Sequence, residues 1–485
     1  MKQHSRFAAL ALAGTLLCGC AATPESGSVT GKNDGVFQQN MTNPATAPLE
    51  ETLDYDLTFP SKDGTVEYTI RLSRDLFSQP LPIVEAVPDF FTGEEVRNIC
   101  QVLLPEAVWR EQVHVSDPQY SKEELRYKIQ WMTQLATQEG MADLYGPAEY
   151  EGQYDDSIDH LKTAIQRYTV MLETAPEENP RALCDWTFRD GGVYTEPSYG
   201  DRVIQATTRM GELEYYVYCT VYDKADYHQN RLFVQLGNSR DYLIYNRLHA
   251  MVCRTEKPTQ DQIDAAAEKA QALLDAMGKG DWRVTGASVE VMDQRSRPEY
   301  EILVRATQEF LGAPVSGNQP AVNLFSESTT APYLNSEAIL SFAGDGTLVY
   351  LDMCCPVALS GVINESAATL PMEELMEKAQ EQLSLQGLEE TRDYYFLSYY
   401  YDGSVTCQVE LTDVEFRLQR IPVPGKDYTY YYVPALAFSG TTRYYDQATG
   451  APADCIGVTP DRVSTLLWLN AVDGSVIAVD RGPEL

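Results

Sequence analysis

The sequence predicts an α+β fold, because its helical patterns are grouped between β segments and do not alternate strictly with them. Three observations support this: apolar residues alternate from Leu53 to Leu72, capping sequences open amphipathic helices, and Asp-Gly turns recur between β-like runs. A chain of 485 residues calls for two or three domains. We place an N-terminal α+β domain at 51–255 and a C-terminal α+β domain at 256–485.

The N-terminal domain is predicted to start with a hairpin and to continue through a helical segment into strands. Order begins at Leu53, and Lys62-Asp63-Gly64 forms the hairpin turn. The elements that follow are a helix opened by the capping box Thr92–Glu95, a second opened by Ser121–Glu124, a third over 157–173, and strands near 214–222 and 231–236.

The C-terminal domain is predicted to contain two helix-plus-antiparallel-sheet units. Its elements are a helix opened by the capping box Thr259–Gln262 and ended by Gly278, strands at 282–292 and 300–307, a helix from Pro371 to Gly387, and tyrosine-rich strands. The tetrapeptide Glu-Lys-Ala-Gln occurs in both helices, at 268–271 and 377–380. A duplication would explain this, and so would a chance coincidence of helix-favouring residues.

Asp-Gly followed by Ser or Thr marks turn candidates at four places in the sequence. The motif occurs at Asp63-Gly64, Asp345-Gly346, Asp402-Gly403 and Asp473-Gly474. Asp-Gly tolerates the positive φ of two-residue hairpin turns, so we expect hairpin tips. Calcium binding would need several oxygens converging in one loop, and the sequence has no such run.

The first twenty residues have the layout of a secretory signal peptide. Lys2 and Arg6 precede an apolar run over 8–17, and Gly19 precedes Cys20. This ending resembles the lipobox of bacterial lipoproteins, in which the cysteine is acylated and becomes the new N-terminus. The resemblance implies a signal peptide over 1–19, lipid attachment at Cys20, and a location on the extracytoplasmic side of the cell membrane. Residues 20–50 are rich in small and polar residues and are predicted to be a disordered tether.

The charge of the chain argues against some partners. The formal net charge of −34 repels nucleic acid, so we expect no nucleic-acid partner. Apart from Cys18 and Cys20 there are eight cysteines, an even number that permits disulfides in an exported protein. None forms a C-x-x-C pair and zinc-type spacing is absent. Cys354-Cys355 is predicted to pack or pair separately, the alternative being a strained vicinal disulfide.

The C-terminal part resembles PepSY and YycH/YycI-type extracytoplasmic modules over about 257–480. The likeness rests on Lys378-Ala379-Gln380, on Tyr432-Val433-Pro434-Ala435, and on the hairpin Asn470–Ile477. Those families are small α+β units that regulate or inhibit and do not catalyse. The whole chain also resembles uncharacterised lipoproteins of Gram-positive anaerobes, which imply no activity.

Catalytic signatures are missing from the sequence. It contains no H-E-x-x-H, no G-x-S-x-G, no Walker loop and no G-x-G-x-x-G. Asp155, Asp156, Asp159 and His160 cluster at a helix start, where the helix dipole explains them better than a metal does. We therefore expect no catalytic residue, no metal site and no cofactor.

Tyrosine is abundant, with 31 residues that cluster on predicted strands. Ordinary cross-strand packing explains most of them. Because consecutive strand residues face opposite ways, some tyrosines could form a binding face for sugars or peptides. We select Tyr399, Tyr401, Tyr430 and Tyr432 as that candidate face.

Taken together, these observations favour a lipid-anchored, non-enzymatic binding or regulatory module at the cell envelope. Its expected partners are the membrane, through the lipid, and an envelope protein, peptide or glycan. A surface hydrolase of polysaccharide or peptidoglycan is one alternative, since paired carboxylates leave no linear motif. A structural envelope component is the other.

Overall fold

We describe the fold from a computed structural model of the chain. The described residues are 37, 40–45, 49–112, 120–190, 202–221, 230–237, 242–254, 256–292, 298–316, 336–391, 397, 401, 403–426, 428–453 and 463–477. The predicted signal peptide, Cys20, Tyr399, Asp402 and Cys455 lie outside them.

Seven α-helices form within the described residues. They are α1 (Gly93–Leu103), α2 (Lys122–Leu135), α3 (Gln138–Tyr145), α4 (Asp155–Thr174), α5 (Tyr242–Cys253), α6 (Gln260–Ala276) and α7 (Met372–Leu385). The three predicted capping boxes are confirmed at the starts of α1, α2 and α6, with reciprocal side-chain to backbone hydrogen bonds. Pro371 is the N-cap of α7, one residue before its first turn.

The strands fall into two sheets. They are β1 (Leu49–Pro60), β2 (Val66–Ser78), β3 (Ile83–Pro88), β4 (Arg110–Glu111), β5 (Arg189–Asp190), β6 (Arg202–Met210), β7 (Leu213–Val221), β8 (Asn230–Leu236), β9 (Trp282–Met292), β10 (Glu299–Phe310), β11 (Ala313–Pro314), β12 (Glu337–Phe342), β13 (Leu348–Cys354), β14 (Val357–Asn364), β15 (Val405–Pro422), β16 (Tyr430–Asp446) and β17 (Ser464–Asn470). With helices and mixed sheets together, the chain has the predicted α+β fold.

The smaller sheet has seven strands in the order β1-β2-β15-β16-β3-β14, with β17 beside β16. Only the β2–β15 pair among the pairs described in this sheet is parallel. The predicted hairpin joins β1 to β2 through Asp63-Gly64, where Gly64 has φ 72°. Helix α7 packs against β1 and β17 over an apolar core.

The larger sheet has ten strands in the order β11-β10-β12-β13-β8-β7-β6-β4, with β5 beside β6 and β9 beside β10. Its strands share one large core with residues of the first six helices. Asp345-Gly346 forms the predicted turn between β12 and β13, with φ 83° at Gly346. After β17, Asp473-Gly474 also turns the chain back, because the Asn470 N–H donates to the Ser475 carbonyl.

The sheets do not follow the predicted boundary near residue 255. Strands β1–β3 join β14–β17 in the smaller sheet, while β4–β8 join β9–β13 in the larger one. Residues 257–480, which carry the PepSY-like resemblance, are therefore divided between the two sheets. Strand pairing joins residues that are far apart in the sequence. Local changes of sequence pattern, on which the predicted boundary rests, do not reveal such pairing. A shared apolar cluster that includes Phe310 and Tyr432 joins the two sheets.

The predicted tether is partly structured. The Ala45 N–H donates to the Ser366 carbonyl, and the Asn40 side-chain amide donates to the Val472 carbonyl. Met41 is buried against the smaller sheet, and strand β1 starts at Leu49. The prediction of a disordered tether over 20–50 is therefore wrong for its second half, which contains apolar residues that pack on the folded body. No helix among the described residues has the length and apolarity that a membrane crossing requires.

Candidate functional site

The tyrosines selected from the sequence do not form one exposed face. Tyr430 and Tyr432 lie two residues apart on β16, so their side chains share a side of the sheet, and that side is buried. The Tyr432 ring packs on Phe310 with centroids 5.0 Å apart. The Tyr401 hydroxyl donates to Asp446 Oδ2 at 2.9 Å. The predicted binding face is therefore wrong for its two members on β16, Tyr430 and Tyr432. Tyr399 lies outside the described residues.

A different set of aromatic residues forms a partly exposed face on the larger sheet. Tyr218 on β7 lies opposite Phe233 on β8, and Phe233 lies opposite Asp352 on β13. Tyr350 is on the same face of β13, and its ring centroid is 5.9 Å from that of Phe233. We call Tyr218, Arg231, Phe233, Tyr350 and Asp352 the aromatic face. The adjacent Val217 and Cys219 point into the main core, so this face is the one away from it.

An ion pair lies in the middle of the aromatic face. Arg231 donates to both oxygens of Asp352, at 2.7 and 2.6 Å, and its guanidinium carbon is 5.5 Å from the Phe233 ring centroid. The Asp352 charge holds the pKa of Arg231 well above its ordinary value. The Arg231 side chain is still 41% exposed. The face therefore presents a flat, rigid cation between aromatic rings.

Within the part of the chain that the structure describes, three polar side-chain atoms without a hydrogen-bond partner lie beside these rings. They are Gln205 Oε1, opposite Tyr218; Thr220 Oγ1, opposite Arg231; and Gln235 Nε2, opposite Tyr350. All three side chains are at least nine-tenths buried. A buried polar atom that lacks a partner costs about 1–3 kcal/mol. Because each of these atoms is almost inaccessible to solvent, a ligand on this surface would meet the rings and the Arg231 guanidinium before it met them.

Charged residues are also buried at one end of the larger sheet. His249 on α5 is fully buried, with its Nδ1 2.5 Å from Glu299 Oε2 and its Nε2 hydrogen-bonded to Glu301 Oε1. Arg254 Nε donates to Glu299 Oε1 at 3.2 Å. Ser341 donates its hydroxyl hydrogen to Glu301 Oε2. We call His249, Cys253, Arg254, Glu299 and Glu301 the buried charged cluster.

The partners of His249 determine its protonation. Desolvation alone would lower the pKa of His249, but hydrogen bonds to Cys253, Glu299 and Glu301 outweigh it and raise the pKa to about 12. Burial raises the pKa of the Cys253 thiol, so that group is neutral. Imidazolium and guanidinium thus face two carboxylates, and the cluster as a whole carries no net charge.

Three of these side chains also place ligand atoms of a metal site together. One donor atom each from His249, Cys253 and Glu301 lies within 4.8 Å of the others, and all three residues are buried. The sequence predicts no metal site, and no linear motif marks this set. Two short spacings could have indicated it: His249 and Cys253 are four residues apart on a helix, and Glu299 and Glu301 are two apart on a strand.

The remaining sequence candidates have structural roles. Asp155 and Asp156 occupy the first turn of α4, as the dipole argument predicted, and Asp155 Oδ1 accepts from Gln138 at 2.7 Å. Neither Cys354 nor Cys355 forms a disulfide, and the same holds for the other cysteines within the described residues. Cys355 has φ 49° where the chain leaves the larger sheet for β14.

The comparisons with known proteins leave the family of the chain open. No family model matches the chain, and no curated protein matches it. A crystal structure of an uncharacterized protein from Eubacterium rectale ATCC 33656 covers 93% of this chain and 99% of its own, with 9% sequence identity and a TM-score of 0.35. At that TM-score the likeness supports no conclusion about function.

Proposed function

We propose that the chain is a lipid-anchored, extracytoplasmic binding protein that holds a neutral polysaccharide of the cell envelope on its aromatic face. The observation that carries this proposal is the set of partly exposed rings around the Arg231–Asp352 ion pair on one sheet. A rigid sheet fixes these groups in advance, so little conformational entropy is lost when a ligand binds.

The chemistry of the face favours a sugar over the other envelope partners. Sugar rings carry C–H surfaces that stack on Tyr218 and Phe233, and hydroxyls that both donate and accept hydrogen bonds. Those hydroxyls can accept hydrogen bonds from the Arg231 guanidinium, whose side chain is 41% exposed. The net charge of −34 disfavours anionic polymers, which leaves a neutral glycan as the better ligand.

The anchor supports a surface location close to the membrane. Between Cys20 and Phe37 the sequence has 36 − 20 = 16 residues, and residues 40–45 already contact the smaller sheet. A chain of that length spans at most roughly 53–58 Å when fully extended. The proposed lipid would therefore hold the smaller sheet near the membrane, with the larger sheet joined to it.

Lipid attachment is tested by metabolic labelling with a clickable palmitate. We expect label on the wild-type chain and none on Cys20→Ala, because the acyl groups attach to that sulfur. Cys18→Ala is the matched control and should keep its label, since it removes a cysteine two residues away. Label that persists on Cys20→Ala would show that the anchor has been misassigned.

Glycan binding is tested by affinity electrophoresis of the full chain in detergent against a panel of neutral and anionic polysaccharides. We expect retardation by a neutral polysaccharide. Phe233→Ala and Tyr218→Ala should each weaken it about 10- to 100-fold, because a lost ring contact costs roughly 1.5–3 kcal/mol. Tyr150→Ala is the control, as Tyr150 is 66% exposed and outside the aromatic face.

Each outcome of this experiment bears on the proposal. Equal retardation of Phe233→Ala and wild type would remove the aromatic face as the site. Retardation by anionic polymers alone would overturn the neutral-glycan assignment. New reducing ends in the polysaccharide after incubation would indicate the hydrolase that the sequence analysis kept as an alternative.

A further inference from the structure

The geometry points to a structural zinc site: we propose that His249, Cys253 and Glu301 bind one Zn²⁺ ion inside the buried charged cluster, with Glu299 orienting His249. This inference concerns side chains that are buried between helix α5 and strand β10 of the larger sheet. It does not depend on the aromatic face or on the proposed glycan.

The three ligands come from elements that the fold already holds together. His249 and Cys253 are one helical turn apart on α5, which places both side chains on the same side of the helix. Glu301 is on β10, against which α5 packs. The three donor atoms lie within 4.8 Å of one another, and His249 Nε2 and Glu301 Oε1, which share a hydrogen bond, would move apart to admit an ion bonded to each at about 2.0–2.3 Å. Small side-chain rotations would be enough.

The donor set selects the metal. One imidazole nitrogen, one thiolate and one carboxylate oxygen are characteristic zinc ligands. Magnesium and calcium require mostly oxygen ligands, so a site with nitrogen and sulfur excludes them. Three protein donors leave a fourth position to a water molecule or to the second Glu301 oxygen. Because all three ligands are buried, the site would stabilise the fold and would be closed to a substrate.

The ligands of zinc sites are oriented by hydrogen bonds from neighbouring residues, and the surroundings of His249 and Glu301 supply such partners. With zinc on Nε2, His249 would keep its Nδ1 proton and donate it to Glu299, which is already 2.5 Å away. Arg254 holds Glu299 from the other side and donates to the Leu144 carbonyl at 2.9 Å. The Ser341 hydroxyl holds the second oxygen of Glu301. Each carboxylate is therefore fixed before any metal arrives.

The first test measures metal content and stability of the full chain, purified without chelators or a polyhistidine tag. We expect one zinc per chain by elemental analysis. Removal with a strong chelator should lower the melting temperature, and added Zn²⁺ should restore it. Co²⁺ added to the metal-free chain should produce a thiolate-to-cobalt charge-transfer band that Zn²⁺ abolishes, which reports on sulfur coordination directly.

Variants assign the ligands. Cys253→Ala should remove the charge-transfer band and weaken zinc affinity at least 100-fold, while Glu299→Gln should keep the band and weaken affinity about 10- to 100-fold. Cys407→Ala is the matched control, because Cys407 is an equally buried thiol in the smaller sheet. It should behave as wild type.

The proposal can fail even if Cys253→Ala does not fold, because the wild-type measurements stand alone. A wild-type chain that lacks zinc, gains no thermal stability from Zn²⁺ and shows no charge-transfer band would overturn it. A band that survives in Cys253→Ala and disappears in Cys407→Ala would overturn the ligand assignment. Neither result would affect glycan binding, so the two proposals fail separately.

Discussion

Replacing Glu299 by alanine is expected to lower the free energy of unfolding by about 3–5 kcal/mol, one of the two largest single-residue effects that we predict for this chain. Glu299 is fully buried and accepts from both His249 and Arg254. Its removal leaves His249 with Glu301, and leaves Arg254 with Asp143, a largely exposed carboxylate 3.5 Å away. The cost is mainly that of the buried charge left without Glu299.

Urea unfolding followed by tryptophan fluorescence measures this effect, with excess chelator present so that metal does not contribute. The midpoint should fall with little change of slope, since the folded state remains equally compact. Glu268→Ala on the exposed side of α6 is the matched control and should change stability by less than about 0.5 kcal/mol. Equal midpoints for the two variants would show that the cluster does not stabilise the fold.

A double-mutant cycle separates the ion pair from the rest of the cluster. Arg254→Ala alone should destabilise the chain, but in the Glu299→Ala background it should cost less, because the arginine has already lost its carboxylate. Additive effects of the two substitutions would contradict the contact between Arg254 and Glu299.

Local elements of this fold could be predicted from the sequence because their signals are local. Thr92, Ser121 and Thr259 each start a helix through a bond to a residue three positions later. Asp-Gly turns likewise depend on the φ of one glycine. Helix α5 was missed since its sequence is apolar around most of its circumference and lacks an amphipathic stripe.

The sheets and the buried charged cluster could not be predicted, because both depend on contacts between distant residues. Val66 on β2 pairs with Cys407 on β15, and no local pattern specifies that partner. His249 meets Glu299 across 50 residues. Scanning for C-x-x-C or H-E-x-x-H finds only ligands that are close in sequence, whereas this set combines a helix with a strand.

Tyr432→Ala is expected to lower the free energy of unfolding by about 3–5 kcal/mol, as large aromatic truncations in cores do. Tyr432 is fully buried and packs edge-on against Phe310, which comes from the larger sheet. Its loss would open a cavity in the cluster that joins the two sheets. The adjacent Tyr431→Ala is the matched control and should cost less, because Tyr431 is only partly buried.

This experiment also decides between two roles for the same residue. If Tyr432 belonged to a ligand-binding face, as the sequence suggested, Tyr432→Ala would reduce binding and leave the unfolding midpoint unchanged. If it joins the sheets, the midpoint falls, and any polysaccharide binding by the folded fraction keeps its wild-type affinity. Calorimetry adds a further readout: loosening the junction should split the unfolding of the sheets into separate transitions, which Tyr431→Ala should not do. A large loss of stability with intact binding would confirm that Tyr432 belongs to the core.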